Sequence, residues 1–266
     1  MNFEFKQRKI KFSIIVMAVL MGLILGTLFV LLGGYNVFTV YSYLFRGSLG
    51  SLTALTSTIR WSTIFLICGI ASGISFKGGM FNMGTEGQLY MGAMAGTLAG
   101  IYIKGLPAII HIPLCLLTGM VAGMIWASVP AVLRVYWNTN EIVVTLMMNY
   151  IAINFTNFLV KEFFLTTGVF GDSLTTDELL PSAHFPEFGN SPISFGFLMG
   201  IVLVLLFILF FDKTRKGFEI KISGYNPEFA RYSGVSVNRV RISVMLLSGA
   251  IAGLAGASEI MGVQGR

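Results

Sequence analysis

Apolar residues run through this chain in long uncharged blocks separated by short polar ones. Ser13 to Leu32 and Gly105 to Leu133 contain no Asp, Glu, Lys or Arg, and a helix of about 20 such residues spans a hydrocarbon layer of about 30 Å. Windows of that length predict helices near 13–32, 61–76, 88–103, 109–133, 141–160, 193–211 and 242–263. The expected fold is therefore all-α, a polytopic transmembrane bundle of about seven spans. It is read as a single transmembrane domain over 1–266, with a loop at 212–241.

The first apolar block follows Lys6, Arg8, Lys9 and Lys11. A secretory signal has an apolar core of about 7–15 residues ending at a small-residue cleavage site. This block is longer, so it predicts a first membrane helix. Placing the N-terminus in the cytoplasm puts thirteen Lys and Arg residues in inner segments against four in outer ones: Arg46, Arg60, Lys104 and Lys161. Basic residues favour the cytoplasmic side, which predicts that orientation for a multi-pass membrane protein.

Composition agrees with the pattern. Only 11% of the 266 residues are charged and 55% are hydrophobic, whereas a soluble domain carries about a quarter charged residues. The net charge of +6 raises nucleic acid as a partner. The basic residues are nevertheless dispersed among apolar segments without an aromatic-interleaved patch, which argues against that partner. Cys68 and Cys115 lie in apolar runs and read as small buried hydrophobes rather than as metal ligands or a disulfide. The residues call for no cofactor.

Several segments depart from the apolar background. Between the second and third expected spans, Ser75 to Gln88 holds four glycines with Asn82, Glu86 and Gln88. Glycine weakens a helix by about 1 kcal/mol relative to alanine, so a break is expected, and broken backbone at membrane depth persists only where protein or a water-filled cavity satisfies it. An ordinary Gly-rich turn is the other reading. Met83 to Gln88 has an echo at Met261 to Arg266, as inverted repeats would produce. The fifth span starts at Asn140 and Glu141, and at about 100° per residue Thr145, Asn149 and Thr156 share a face. Such a stripe either lines a solute path or bonds a neighbouring helix. Ser248 to Ser258 repeats small residues, among them Gly249 and Gly253, as a close-packing face that leads to Glu259. An ionisable residue there is a functional candidate or an interfacial carboxylate.

Two loops complete the pattern. The segment 161–192 carries Glu162, Asp172, Asp177, Glu178, Glu187 and His184, and reads either as a structured docking surface or as a solvated connector. The aromatic stretch 35–60 is expected along the outer interface. In the inner loop, Asn226 is a suitable cap acceptor, Pro227 suits the first helical position, and Glu228 suits the first turn. Gly234 should end that helix after two turns. Phe229, Ala230 and Tyr232 on so short a helix need a soluble partner to cover them.

Gly224-Tyr-Asn-Pro-Glu-Phe-Ala-Arg-Tyr-Ser-Gly234 resembles the coupling segment of ABC-importer permeases of the ribose and branched-chain amino acid superfamily. Asn82-Met-Gly-Thr-Glu-Gly-Gln88, Asn140-Glu-Ile-Val-Val-Thr-Leu-Met-Met-Asn-Tyr150 and Glu259-Ile-Met-Gly-Val-Gln-Gly265 resemble its nucleoside branch, which works with basic-membrane-lipoprotein-type receptors. The resemblance spans about residues 60–266. It implies a permease that imports nucleosides, purine nucleosides foremost, or simple sugars. It further implies a second homologous permease subunit, a cytoplasmic ABC ATPase and an extracytoplasmic lipoprotein receptor for the solute. Gly224, Asn226, Pro227, Ala230, Arg231, Tyr232 and Gly234 would then meet the ATPase. Asn82, Glu86, Gln88, Asn140, Glu141, Thr145, Asn149 and Glu259 are the candidates for the translocation path. Members of that branch continue with further helices where this chain stops at Arg266, so the chain is expected to be incomplete at its C-terminus.

Other classes fit less well. A membrane enzyme needs convergent titratable groups or metal ligands, and no His, Asp and Glu cluster of suitable spacing occurs. A secondary transporter or channel for a small polar solute would place carboxylates or histidines in several spans, and here only Glu259 qualifies. No P-loop is present, so ATP hydrolysis must come from a separate chain.

Overall fold

The computed structural model describes residues 2–165, 176–186 and 195–265. Asp172, Glu187 and Arg266 lie outside them. The described residues form helices and no strands. Two compact units, 1–58 and 59–266, divide within the third helix.

The first unit contains α1 (Asn2–Leu32), α2 (Val37–Leu49) and the start of α3 (Leu52–Lys77). Val16–Leu32 is its apolar stretch. Phe29, Leu31 and Leu32 are exposed there, a surface suited to lipid rather than water. The stretch 35–60 is helical: Asn36 caps α2 by accepting from the Thr39 N–H at 3.2 Å. The Tyr41 hydroxyl reaches back to the Leu23 carbonyl at 3.0 Å.

The second unit contains the rest of α3, then α4 (Thr85–Tyr102), α5 (Ala108–Trp137), α6 (Glu141–Leu159), α7 (Phe195–Lys213), α8 (Arg215–Tyr225), α9 (Pro227–Tyr232) and α10 (Val237–Glu259). A single π-turn follows α6 at Val160–Phe164, and another follows α10 at Ile260–Gln264. Among the described residues, five helices are long and apolar enough to cross a membrane: α3, α5, α6 with its π-turn, α7, and α10 with the start of its own. The two remaining expected spans are α4, whose first turn holds Glu86 and Gln88, and the shorter apolar part of α1.

Helix α10 is the centre of this unit. Its spanning window is 72% buried, against 17–33% for the other four, and Ser248 to Ser258 is buried on every side. The small residues make this possible, because a Cβ added at Gly253 would strike the Gly119 carbonyl and one at Gly92 would strike the Gly253 backbone. Helices α4 and α5 therefore touch α10 backbone to backbone, the packing mode of membrane interiors where lipid offers apolar side chains no contrast. A second apolar cluster sits around Ile67, Ile74, Met80, Phe211, Val244 and Met245, joining α3, α7 and α10.

Within the 161–192 loop, residues 176–186 pack against the helices. Leu179, Ala183 and Phe185 are buried against Ala99, Cys115 and Met261. The Leu180 N–H donates to the Gly100 carbonyl at 3.1 Å, Leu179 to Gly265 at 2.8 Å, and Phe185 to Met261 at 3.1 Å. This strap ties the ends of α4 and α10 together, and Ser182 binds it to His111 of α5 at 2.8 Å.

Candidate functional site

Helix α3 ends at Lys77, and the chain turns through Gly78 and Gly79 before α4 begins at Thr85. Gly79 has φ +72°, in the left-handed region that glycine adopts without strain. A Cβ on Gly78 would press into Val244 at 2.9 Å. The turn therefore lies close against α10, and Met80, Asn82 and Gly84 are buried.

Broken backbone so deeply placed needs partners, and side chains from three helices supply them. Asn82 Nδ2 donates to Gln88 Oε1 at 3.0 Å and to Ser248 Oγ at 2.8 Å. Asn82 Oδ1 accepts from the Gly84 N–H at 2.9 Å and from Gln88 Nε2 at 3.2 Å. From α6, Asn149 donates to the Met83 carbonyl at 2.9 Å and accepts from the Gly87 N–H at 2.8 Å. Thr145 Oγ1 accepts from the Met83 N–H at 3.3 Å and donates to the Glu141 carbonyl at 2.7 Å. The polar face of α6 is thus bonded to the interrupted segment, with Glu141, Thr145, Asn149, Ala152 and Thr156 all buried.

Of the expected path residues, Asn82, Gln88, Thr145 and Asn149 come together in this network. Glu86 and Asn140 stay exposed, and Asn140 caps α6 by accepting from the Ile142 N–H at 3.0 Å. Glu141 pairs with Arg134 Nε at 3.1 Å. Arg241 lies near enough to feel the charges of Glu141, Arg134 and Arg231. This cluster brings α5, α6, α9 and α10 into electrostatic contact. Glu259 is elsewhere: it accepts from Arg60 Nε at 2.9 Å, about 16 Å along α10 from Ser248 at 1.5 Å per residue.

Helix α9 forms as expected. The Phe229 N–H donates to Asn226 Oδ1 at 3.0 Å, and Pro227 occupies the first helical position. Gly234, at φ +81°, closes a Schellman motif in which Val235 N–H donates to the Ala230 carbonyl at 2.9 Å and Gly234 N–H to that of Arg231 at 3.0 Å. Phe229, Arg231 and Tyr232 are exposed, Tyr232 at 92%. Two expected contact residues face differently. Ala230 is fully buried and anchors the helix, because in six residues only one side can present Phe229 and Tyr232. Gly224 lies against the Lys77 carbonyl and Gly79, where it lets α8 approach the end of α3.

Sequence reasoning did not find the roles of Arg60, Ser248 and His111. Arg60 is 199 residues from Glu259, and Ser248 reads as one more small residue in its run. His111 is fully buried, with Nε2 at 3.2 Å from the Ala99 carbonyl. A carbonyl only accepts, so Nε2 carries a proton and Nδ1 is left to bond the Ser182 hydroxyl. Its signal was a histidine within a run free of Asp, Glu, Lys and Arg.

Membrane-length helices packed on glycine, around an interrupted segment held by buried amides, define a polytopic helical membrane protein. The model of a family described as branched-chain amino acid transport system / permease component matches residues 54–265, and the chain belongs to this family. It is a transport component and not an enzyme. Its curated relatives include the guanosine ABC transporter permease protein NupP of Bacillus subtilis (strain 168), 35% identical over 92% of this chain and 70% of that one. The nucleoside ABC transporter permease protein NupB of Lactococcus lactis subsp. cremoris (strain MG1363) is 31% identical over 94% and 70%. The glucose ABC transporter permease protein TsgB13 of Haloferax volcanii is 34% identical over 94% and 68%. No solved structure matches the chain.

Proposed function

We propose that this chain is a membrane-spanning permease subunit of an ABC importer that carries nucleosides, with simple sugars as the second substrate class. The observation that carries this reading is the likeness to the guanosine and nucleoside permeases over more than nine-tenths of the chain. The glucose permease is what keeps sugars in view. The exposed aromatic side chains of α9, on a helix capped at both ends, support docking of a separate cytoplasmic ABC ATPase there. The N-terminus is then cytoplasmic, the strap at 176–186 lies outside, where a lipoprotein receptor delivers solute, and a second homologous permease completes the path.

In this scheme Asn82, Gln88, Thr145 and Asn149 shape the interrupted segment, and Glu86, exposed on the first turn of α4, meets the solute. Closure of the ATPase dimer pushes α9. The Arg231, Arg241, Glu141 and Arg134 charges pass the displacement to the start of α6, and α6 holds the interrupted segment through Thr145 and Asn149. Two packed arrangements of these helices would alternate access to the site.

The experiment is affinity purification of the tagged chain from its native membrane, followed by uptake assays with labelled guanosine and glucose. A P-loop ATPase and a second permease should co-purify, and Phe229→Ala with Tyr232→Ala should remove the ATPase. Glu86→Gln should lower guanosine uptake while the complex stays assembled. A chain that moves solute without either partner would overturn the assignment, and uptake of glucose alone would move it to the sugar class.

A further inference from the structure

Away from the buried network, the last turn of α3 and the face of α8 enclose a cavity of about 260 Å³ lined by Phe76, Lys77, Lys221, Gly224 and Tyr225. Its floor is backbone: Gly224 rests against the Lys77 carbonyl, and a Cβ on Gly79 would meet the Gly224 Cα at 3.2 Å. These glycine contacts fix the backbone under the cavity, and the side chains of Phe76, Lys77, Lys221 and Tyr225 form its walls. Lys221 Nζ donates to Asp212 Oδ1 at 2.9 Å, and Lys77 Nζ stands 5.3 Å from the centroid of the Phe211 ring. Asp212 also feels the charge of Lys213. Lys77 and Lys221 line the cavity and Lys213 stands near the same carboxylate, so cations outnumber Asp212 here.

Its level in the bilayer follows from the helices. Membrane-spanning α3 ends at Lys77 and membrane-spanning α7 at Lys213, so the cavity lies where hydrocarbon gives way to headgroups. Phe76, on its wall, is 41% exposed and sits 5.4 Å from the Phe81 ring, centroid to centroid. This apolar face continues from the cations onto the surface of the span.

We infer that this cavity binds the phosphodiester headgroup of an anionic phospholipid. Each lysine ammonium has three N–H donors, and Asp212 uses one of those on Lys221. The remainder, with the Tyr225 hydroxyl, match the oxygens of a phosphodiester. Basic pockets at the ends of membrane helices take such headgroups. A free phosphate shares this chemistry. The lipid is favoured because Phe76 and the adjoining surface of α3 give an acyl chain somewhere to lie. A zwitterionic headgroup brings its own cation, which the excess positive charge repels.

The test is native mass spectrometry of the full chain, purified in detergent and supplied with equimolar phosphatidylglycerol and phosphatidylcholine. Phosphatidylglycerol should be retained in preference by about thirty-fold, on the scale of two surface lysines. Lys77→Gln with Lys221→Gln should abolish the preference, and Lys104→Gln, at a loop remote from the cavity, should leave it intact. Asp212→Asn should increase it, a gain that misfolding does not produce. An unchanged preference in both the lysine and the Asp212 variants would overturn the inference. So would displacement of the lipid by millimolar inorganic phosphate, which would assign the cavity to a soluble anion. Loss of a co-purifying protein from the lysine variants with lipid retention intact would also overturn it, making the surface a protein contact.

Discussion

Asn82 uses both N–H donors and both acceptor positions of its amide, on partners from the turn, α4 and α10. Asn82→Ala strands Gln88, Ser248 and the Gly84 N–H in a buried site. Each unsatisfied group costs about 1–3 kcal/mol. Thermal unfolding in detergent should therefore show a loss of about 3 kcal/mol, since part of the network re-pairs. Asn154→Ala is the matched control. That amide is exposed and bonds only the carbonyl of Tyr150, one turn earlier, at 2.7 Å, so its loss should move stability by less than about 0.5 kcal/mol. Equal effects of the two variants would refute a structural role for the network. At this scale the sequence was informative wherever local periodicity decides. The shared face of Thr145, Asn149 and Thr156 follows from 100° per residue, and the cap at Asn226 follows from the Asn-Pro pair. It was silent on Arg60 with Glu259 and on His111 with Ser182, because a pairing across 199 or 71 positions leaves no periodic trace.

Among the elements, α10 has the least room. Gly253→Val would drive a branched side chain into the Gly119 carbonyl and the Gly123 backbone. Overpacking on that scale costs about 3 kcal/mol, and backbone on the receiving side cannot rotate away. Gly69→Ala is the counterpart on α3, where an added Cβ meets nothing within 4 Å. It should leave stability unchanged or raise it by up to about 1 kcal/mol. Size-exclusion profiles and melting curves of the two variants should diverge, and a tolerated Gly253→Val would show that the helices do not pack as closely as described. Small-residue spacing from Ser248 onward announced this face, although not which helices it meets. The extents were harder to read. Helix α3 begins at Leu52 and α10 at Val237, several residues before the apolar windows open, because polar residues such as Arg60 and Arg239 lie within continuous helix. Burial of Ala230 was hidden for a related reason: a six-residue helix has too few positions for an amphipathic pattern to emerge.

For the molecule as a transport subunit, the charges joining α9 to α6 are the feature most open to test. Arg231 is exposed on α9 yet within electrostatic reach of Arg241, and Arg241 in turn feels Glu141 and Arg134. In the assembled importer, Arg231→Ala should leave ATP hydrolysis running but weaken its dependence on solute by roughly ten-fold, within the usual range of coupling energies. Normal dependence in that variant would remove Arg231 from the coupling route. Substrate class and partners came from resemblance to a family, since no residue pattern in the chain encodes a purine or an ATPase by itself.

The central position of α10 also bears on how the chain is made. It is synthesised after α3 to α7, yet it completes the glycine faces of α4 and α5, and the strap between α6 and α7 fastens its Leu179 N–H onto Gly265, beyond the end of α10. During translation the earlier helices therefore stand in the bilayer with a backbone-lined groove open. A nascent chain arrested before Val237 should be digested readily by protease at the strap. Protection there should arrive in one step as α10 enters, so that insertion of this helix, rather than of the first ones, commits the protein to its fold.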